Sequence, residues 1–227
     1  KNEEEGNLMV EAVEELSRLL INIGVAIDGG KDSLSMTVKN INGQVDAPGT
    51  LVLTGYARCP DICKKVTPNI KSVGSNLIFI DLSEGNYPLG GTVLQQSMMN
   101  ISGECSIIRN EKNLVEMFNL VQDLLKEDKI LSGHDKSDGG LITTLLEMSF
   151  SGCKGVEIDI NTESNVIDYL FNEEIGVVIE VSNENVSEVM GNISKRNLKG
   201  FNIGRVVDKD LVIIRNRGEG IYKSEMS

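Results

Sequence analysis

The 227 residues include no tryptophan, one histidine and four prolines, and aromatic side chains make up only 4%, so any core must be packed with aliphatic groups. No apolar run reaches the roughly 18 residues that a membrane-crossing helix needs. The opening "KNEEEGN" lacks the basic start and apolar stretch of a signal peptide. One histidine and four dispersed cysteines (Cys59, Cys63, Cys105, Cys153) are a poor ligand supply for zinc. Reduced, partly buried thiols and a cytoplasmic location are expected instead. Basic residues are also scarce. A net charge of −12 argues against a sequence-independent grip on nucleic acid, which needs a basic face, and neither nucleic acid nor membrane is an expected partner.

Hydrophobic residues at 40% suffice for one large domain or two small ones. Leu8, Val13, Leu16, Leu20 and Ile23 recur at helical spacing, and Gly24 can end that helix. "VAIDGG", "SLSMTV" and "TLVLTGYARC" read as short strands. Residues 59–76, with two prolines and no period, read as a domain boundary. Beyond it, "NLIFIDL" reads as a buried strand and 91–100 as a helix. A second helix spans 111–127 on a stripe of Leu114, Phe118, Val121 and Leu125. "VEIDI" and "GVVIEVS" are strands, "NENVSEVMGNISKRN" is a helix with Ser182 or Asn183 as cap, and "GFNIGRVV" and "DLVIIRN" are further strands. The fold class is therefore α/β, or α+β, with a first segment too thin for a core of its own.

Chemistry concentrates in "LSGHDKSDGGLITTLLEMSF", residues 131–150. A helix beginning near Gly139 presents unpaired N–H groups and the positive end of its dipole to the loop before it. Phosphate suits such a start, and Asp135 and Asp138, flanking Ser137, suit a bridging magnesium, which commonly takes one or two protein carboxylates. The alternative is plainer: Ser137 or Asp138 caps the helix, with Asp135 and Lys136 in solvent. His134 is either a proton carrier or a hydrogen-bonded structural residue. "DGGKDSLSM", residues 28–36, is a phosphate-facing loop or a solvated turn. It is no P-loop, since the first glycine of that motif is missing. The glycines of "GNYPLGGT" permit close backbone approach or make an ordinary turn. Glu173 and Glu174 in "FNEEIG" read as exposed acids.

Taken together, "GGKDSLSM", "ARCPDICKKVTP", "NLIFIDLSEGNYPLGGTVLQQ", "GHDKSDGGLITTLLEMSFSG" and "LFNEEIGVVIEV" resemble the phosphoribosylformylglycinamidine synthase family, in its long single-chain form, from about residue 8 to 225. That family belongs to the aminoimidazole ribonucleotide synthetase superfamily. The resemblance implies that residues 1–66 are the C-terminal part of a synthetase N-terminal-type domain. Residues 67–227 would be the α/β C-terminal-type domain of the second of two tandem units. It implies ATP- and glutamine-dependent conversion of formylglycinamide ribonucleotide to the amidine in purine biosynthesis. ATP or ADP and Mg2+ would be cofactors.

By the same resemblance Asp135 would be a metal ligand and Ser137 a nucleotide contact, with Lys31 and Ser33 at a second phosphate-proximal loop. The "HDxS" residues look like those of a structural rather than a catalytic nucleotide site, and no catalytic residue is assigned. Partners would be nucleotide, phosphoribosyl substrate and the remaining synthetase and glutaminase domains of the same chain. Without the glycine-rich ATP segment expected upstream and the glutaminase expected downstream, these 227 residues should be inactive alone and bind nucleotide weakly. A non-catalytic Mg-nucleotide module, or another enzyme of the superfamily, is the alternative.

Overall fold

The computed structural model describes residues 3–31, 36–100 and 102–225. It divides into two compact units, Lys1–Pro60 and Asp61–Ser227. In the first unit α1 (Glu3–Ile23) half-buries Leu16, Leu20 and Ile23 while Leu8 and Val13 stay exposed. Gly24, at φ +76°, ends it, and the Val25 N–H returns to the Leu20 carbonyl at 2.8 Å. Strands β1 (Thr37–Asn40) and β2 (Gly43–Asp46) form a hairpin, with Thr37 opposite Asp46.

The strands expected at "VAIDGG" and "TLVLTGYARC" do not form, and Val25, Ile27, Leu51, Leu53 and Tyr56 are exposed. An alternating apolar pattern supplies a strand's side chains but not its hydrogen-bonding neighbour, and β1–β2 is the only ladder among the described residues of this unit. The four thiols are free as expected, but all are exposed rather than partly buried.

The second unit bears out the α/β class. Its strands are β3 (Asn76–Asp81), β4 (Ser132–Lys136), β5 (Gly155–Ile160), β6 (Gly176–Val181), β7 (Lys199–Val207), β8 (Leu211–Asn216) and β9 (Glu219–Glu225). They form one sheet in the order β4-β6-β3-β7-β5-β8-β9, antiparallel except for the β5–β8 pair. Its helices are α2 (Val93–Ser97), α3 (Glu111–Lys126), α4 (Gly140–Gly152), α5 (Val166–Phe171) and α6 (Val186–Lys195). The weakly patterned β9 and the short α5 are not among the elements expected from the sequence.

Strand alternation sorts the core into two layers. Leu77 and Phe79 of β3 join Val156, Ile158 and Val212 beneath Leu141, Leu145 and Met148 of α4 and Leu170 of α5. Ile78 and Ile80 face the other way, against Leu120 and Leu124 of α3 and Val189 and Ile193 of α6. Phe118, expected on the buried stripe of α3, is exposed. The face that packs runs through Leu114, Met117, Leu120, Val121 and Leu124 instead. Asn110 caps α3, its side chain accepting from the Lys112 and Asn113 amides. The helix 186–195 follows a 3-10 turn at Asn183–Asn185, and Ser182 flanks that turn without a side-chain capping bond.

The linker before β3 is fastened by one buried carboxylate. Glu180, fully buried on β6, accepts from the Lys71 and Ser72 amides at 2.8 Å each, the Ser75 hydroxyl at 2.6 Å and the Ser132 hydroxyl at 2.7 Å. Four donors satisfy the buried carboxylate and fix the 71–75 turn to β6. Glu180→Ala should orphan several of these groups and lower the unfolding free energy by about 3 kcal/mol or more, whereas Ser132→Ala should cost only about 1 kcal/mol. Urea titration of the two variants checks the difference.

Candidate functional site

The residues read as a loop before α4 are in fact an edge strand. β4 pairs with β6, Asp135 opposite Val177 and Lys136 opposite Gly176. Alternation therefore turns Asp135 and Lys136 to opposite faces. Asp135 stands out, its side chain 75% exposed, and Ser137 and Asp138 beyond the strand are exposed as well. Neither Ser137 nor Asp138 caps the helix. The N-cap is Gly139, in the left-handed region at φ +82°, with no side-chain cap bond. The glycine pair has a steric cause: a Cβ on Gly140 would lie 2.6 Å from the Leu170 carbonyl oxygen, and Gly140 also has φ +73°. The backbone of 170–172 crosses the start of α4 too closely for any side chain there.

Lys136 is the unexpected member. It is 5% exposed, its Nζ donates to the Asn172 side-chain oxygen at 2.8 Å, and it lies 5.3 Å from the centre of the Phe79 ring. Gly176 separates Lys136 from Asp81 across three strands, Lys136↔Gly176↔Asp81. Burial lowers the Lys136 pKa to about 8, against the opposing pull of Asp81 and Glu174. Asp81 itself is buried, accepting from the Ser83 amide at 3.0 Å and hydroxyl at 2.8 Å. Tyr87 and Tyr169 pack edge-to-face nearby with ring centres 5.0 Å apart. Burial first and the Asp81 charge second raise the pKa of both phenols.

Three consecutive residues tie this polar end of the sheet together. Asn172, fully buried, receives Lys136 and donates to the Asp168 and Tyr169 carbonyls at 2.8 Å each. Glu173 Oε1 accepts from the Val93 amide of α2 at 2.9 Å and from the Gly139 amide at 2.8 Å. Glu174, 1% exposed, pairs with Arg109 at 2.7 Å ahead of α3. The acids of "FNEEIG" are therefore not exposed solvation: one is half-buried across two helix starts, the other is buried in an ion pair.

Of the expected site residues, Asp135 and Ser137 lie two positions apart at the end of β4. Lys31 is exposed on irregular backbone of the first unit, and Ser33 falls outside the described residues. His134 is a hydrogen-bonded residue, its Nδ1 facing Asp135 at 3.1 Å and its Nε2 facing Glu147 at 2.9 Å. Among the described residues no three His, Cys, Asp or Glu side chains gather as a metal-holding group. A single exposed carboxylate such as Asp135 fits a magnesium ion that takes its other ligands from phosphate and water, and not a metal caged by protein.

The depressed pKa of Lys136 has a consequence for stability. The cost of burying the ammonium is full below about pH 8 and fades toward 10.5, the value of an exposed lysine. Between those limits the unfolded chain binds more protons than the folded one, so stability rises with pH. The slope should approach, at most, about 1.4 kcal/mol per pH unit. Lys136→Met should flatten it, as read by denaturation midpoints from pH 7 to 10.

Comparison with known proteins accords with this architecture. Residues 73–215 match the family model "AIR synthase related protein, C-terminal domain", and residues 1–58 match "FGAR-AT PurM_N-like domain". The probable phosphoribosylformylglycinamidine synthase of Arabidopsis thaliana, named chloroplastic/mitochondrial, is 40% identical over 96% of this chain and 16% of its own length. The human phosphoribosylformylglycinamidine synthase is 41% identical over 82% of the chain and 14% of its length. The chain thus spans about one sixth of these relatives. Thermotoga maritima PurL complexed with FGAR superposes with a TM-score of 0.60 at 12% identity, over 73% of this chain and 29% of that one, a likeness of fold. The chain belongs to the AIR synthase related family, joining that family's C-terminal domain to an FGAR-AT PurM_N-like segment, and is similar to phosphoribosylformylglycinamidine synthases.

Proposed function

We propose that this chain is one part of a phosphoribosylformylglycinamidine synthase, an ATP-dependent C–N ligase and glutamine amidotransferase of purine biosynthesis. The whole enzyme converts formylglycinamide ribonucleotide to the amidine with ATP and glutamine. Its other synthetase segments and a glutaminase are then the partners of these 227 residues. The observation that carries this reading is 40% identity across 96% of the chain to a relative of that name. The division into 1–66 and 67–227 as two synthetase-type domains is supported by the separation of compact units at Pro60 and by the gap between the two family matches. A cytoplasmic location is part of the same proposal; the plant relative's name gives organelles for that protein.

In this reading Asp135 holds magnesium and Ser137 contacts the nucleotide, ATP or ADP, in a structural rather than catalytic role. Lys31 and Ser33 stand at a second phosphate-proximal loop. The metal, when bound, neutralises phosphate charge. The chain's own residues supply the frame. Lys136, locked to Asn172, keeps its side chain inside, so alternation turns Asp135 outward on the strand. Support from solved structures is limited to fold, with PurL of Thermotoga maritima complexed with ATP at a TM-score of 0.59 and 12% identity. In a chain extended upstream to restore the glycine-rich segment, Asp135→Asn should weaken magnesium-dependent ADP binding at least about tenfold, and Ser137→Ala about threefold to tenfold. Calorimetric titration decides, and unchanged affinity in Asp135→Asn defeats the assignment.

A further inference from the structure

Glu173 raises a question that the nucleotide reading leaves open. One oxygen, Oε1, accepts from two backbone amides that are far apart in sequence: Val93, at the first residue of α2, and Gly139, in the turn that leads from Ser137 into α4. The backbone around Glu173 is fixed on both sides. Asn172 is fully buried with four hydrogen bonds, and Glu174 is held by Arg109. The side-chain torsions of Glu173 are left to move, and because a single oxygen serves both donors, withdrawal of the carboxylate from the turn breaks both bonds.

What Glu173 fastens is lightly held elsewhere. The stretch 84–100 leaves the buried Asp81–Ser83 pair, contains the five-residue helix α2, and is bridged from Gly90 to the Glu104 carbonyl at 2.8 Å. Beyond Tyr87, which packs on Tyr169, its apolar side chains bury little: Leu89 and Leu94 are half-buried, and Val93, Met98 and Met99 are exposed. A segment with so little buried apolar surface opens at small cost. The other end of the link is the opposite case, since Gly139 sits beside Ser137, where a phosphate is proposed to bind. A carboxylate already on that amide competes with any incoming anion, both for the donor and through like charge.

We propose that Glu173 gates the nucleotide site: phosphate arriving at the 137–139 turn displaces its carboxylate from Gly139 and in the same movement releases Val93 and the 84–100 segment. Coupling of this kind is reciprocal, so a chain without the Glu173 carboxylate binds nucleotide more tightly while its segment is looser. The opposite signs set the gate apart from a structural role, which would weaken both. The inference rests on the nucleotide reading above.

The test uses the full-length protein, with peptide-resolved hydrogen exchange and magnesium-ADP titration, counting only the binding that Asp135→Asn abolishes. In Glu173→Ala, exchange over 84–100 and at the 137–140 turn should accelerate about tenfold, while β3 (76–81) keeps its protection. ADP should bind about fivefold more tightly. Glu173→Gln, which keeps the shape and loses the charge, should show the same tightening with smaller exchange changes. In the wild-type protein, added ADP should itself speed exchange over 84–100. Weaker ADP binding in both variants, or ADP binding to wild type with no change over 84–100, overturns the gate and leaves the nucleotide reading standing. Absence of any Asp135-dependent ADP binding overturns both.

Discussion

The arrangement depends on a buried lysine. Lys136 ends the edge strand of the sheet with its ammonium inside the protein, against the Asn172 oxygen and the Phe79 ring. An unpaired charge there would be prohibitive, and the fold meets it with Asp81 on one side of Gly176 and Glu174 beyond it. Gly176 is small for a reason of the same kind. A Cβ at that position would lie 2.7 Å from the Phe79 ring, so no side chain fits between the lysine and its counter-charge. Burial still outweighs the attraction, which is why the pKa of the group falls rather than rises.

From that lysine the order spreads outward. Asn172 must be held in place to receive it, and the same few residues carry Glu173 to two helix starts and Glu174 to Arg109. A short stretch of backbone thereby fixes β4, α2, α4 and the approach to α3 relative to one another. The close crossing at Gly140 belongs to this packing. The exposed pair Asp135 and Ser137 lies at the end of a strand held by this packing.

Electrostatics at the turn is balanced rather than simply attractive to anions. The helix dipole favours a negative group, yet Glu173 already supplies one at the Gly139 amide. In the proposed nucleotide reading, a phosphate entering with magnesium would bring its own compensation, and Asp135 would offer the carboxylate that such an ion takes from protein. Charge complementarity therefore holds for a metal–nucleotide pair better than for a bare phosphate. This accords with the exposure of the proposed ligands, Asp135 and Ser137.

Legible from the sequence were the amphipathic α1, the α/β class and most elements beyond Asn76, namely β3, α3, β5, β6, α6, β7 and β8. Those follow from local periodicity, which each segment carries within itself. Through the motifs "GGKDS" and "HDKSDGG" the sequence also carried the resemblance to the family. Strands in the first unit could not be read so reliably, because Val25 or Leu53 becomes part of a strand only when another strand lies alongside. The tertiary structure alone decided that Lys136 is buried, that 132–136 is a strand, and that Glu173 and Glu174 are partners rather than solvated acids. Each of those outcomes depends on groups more than thirty positions away, as with Asn172 for Lys136 and Arg109 for Glu174, and no local pattern encodes such a distance.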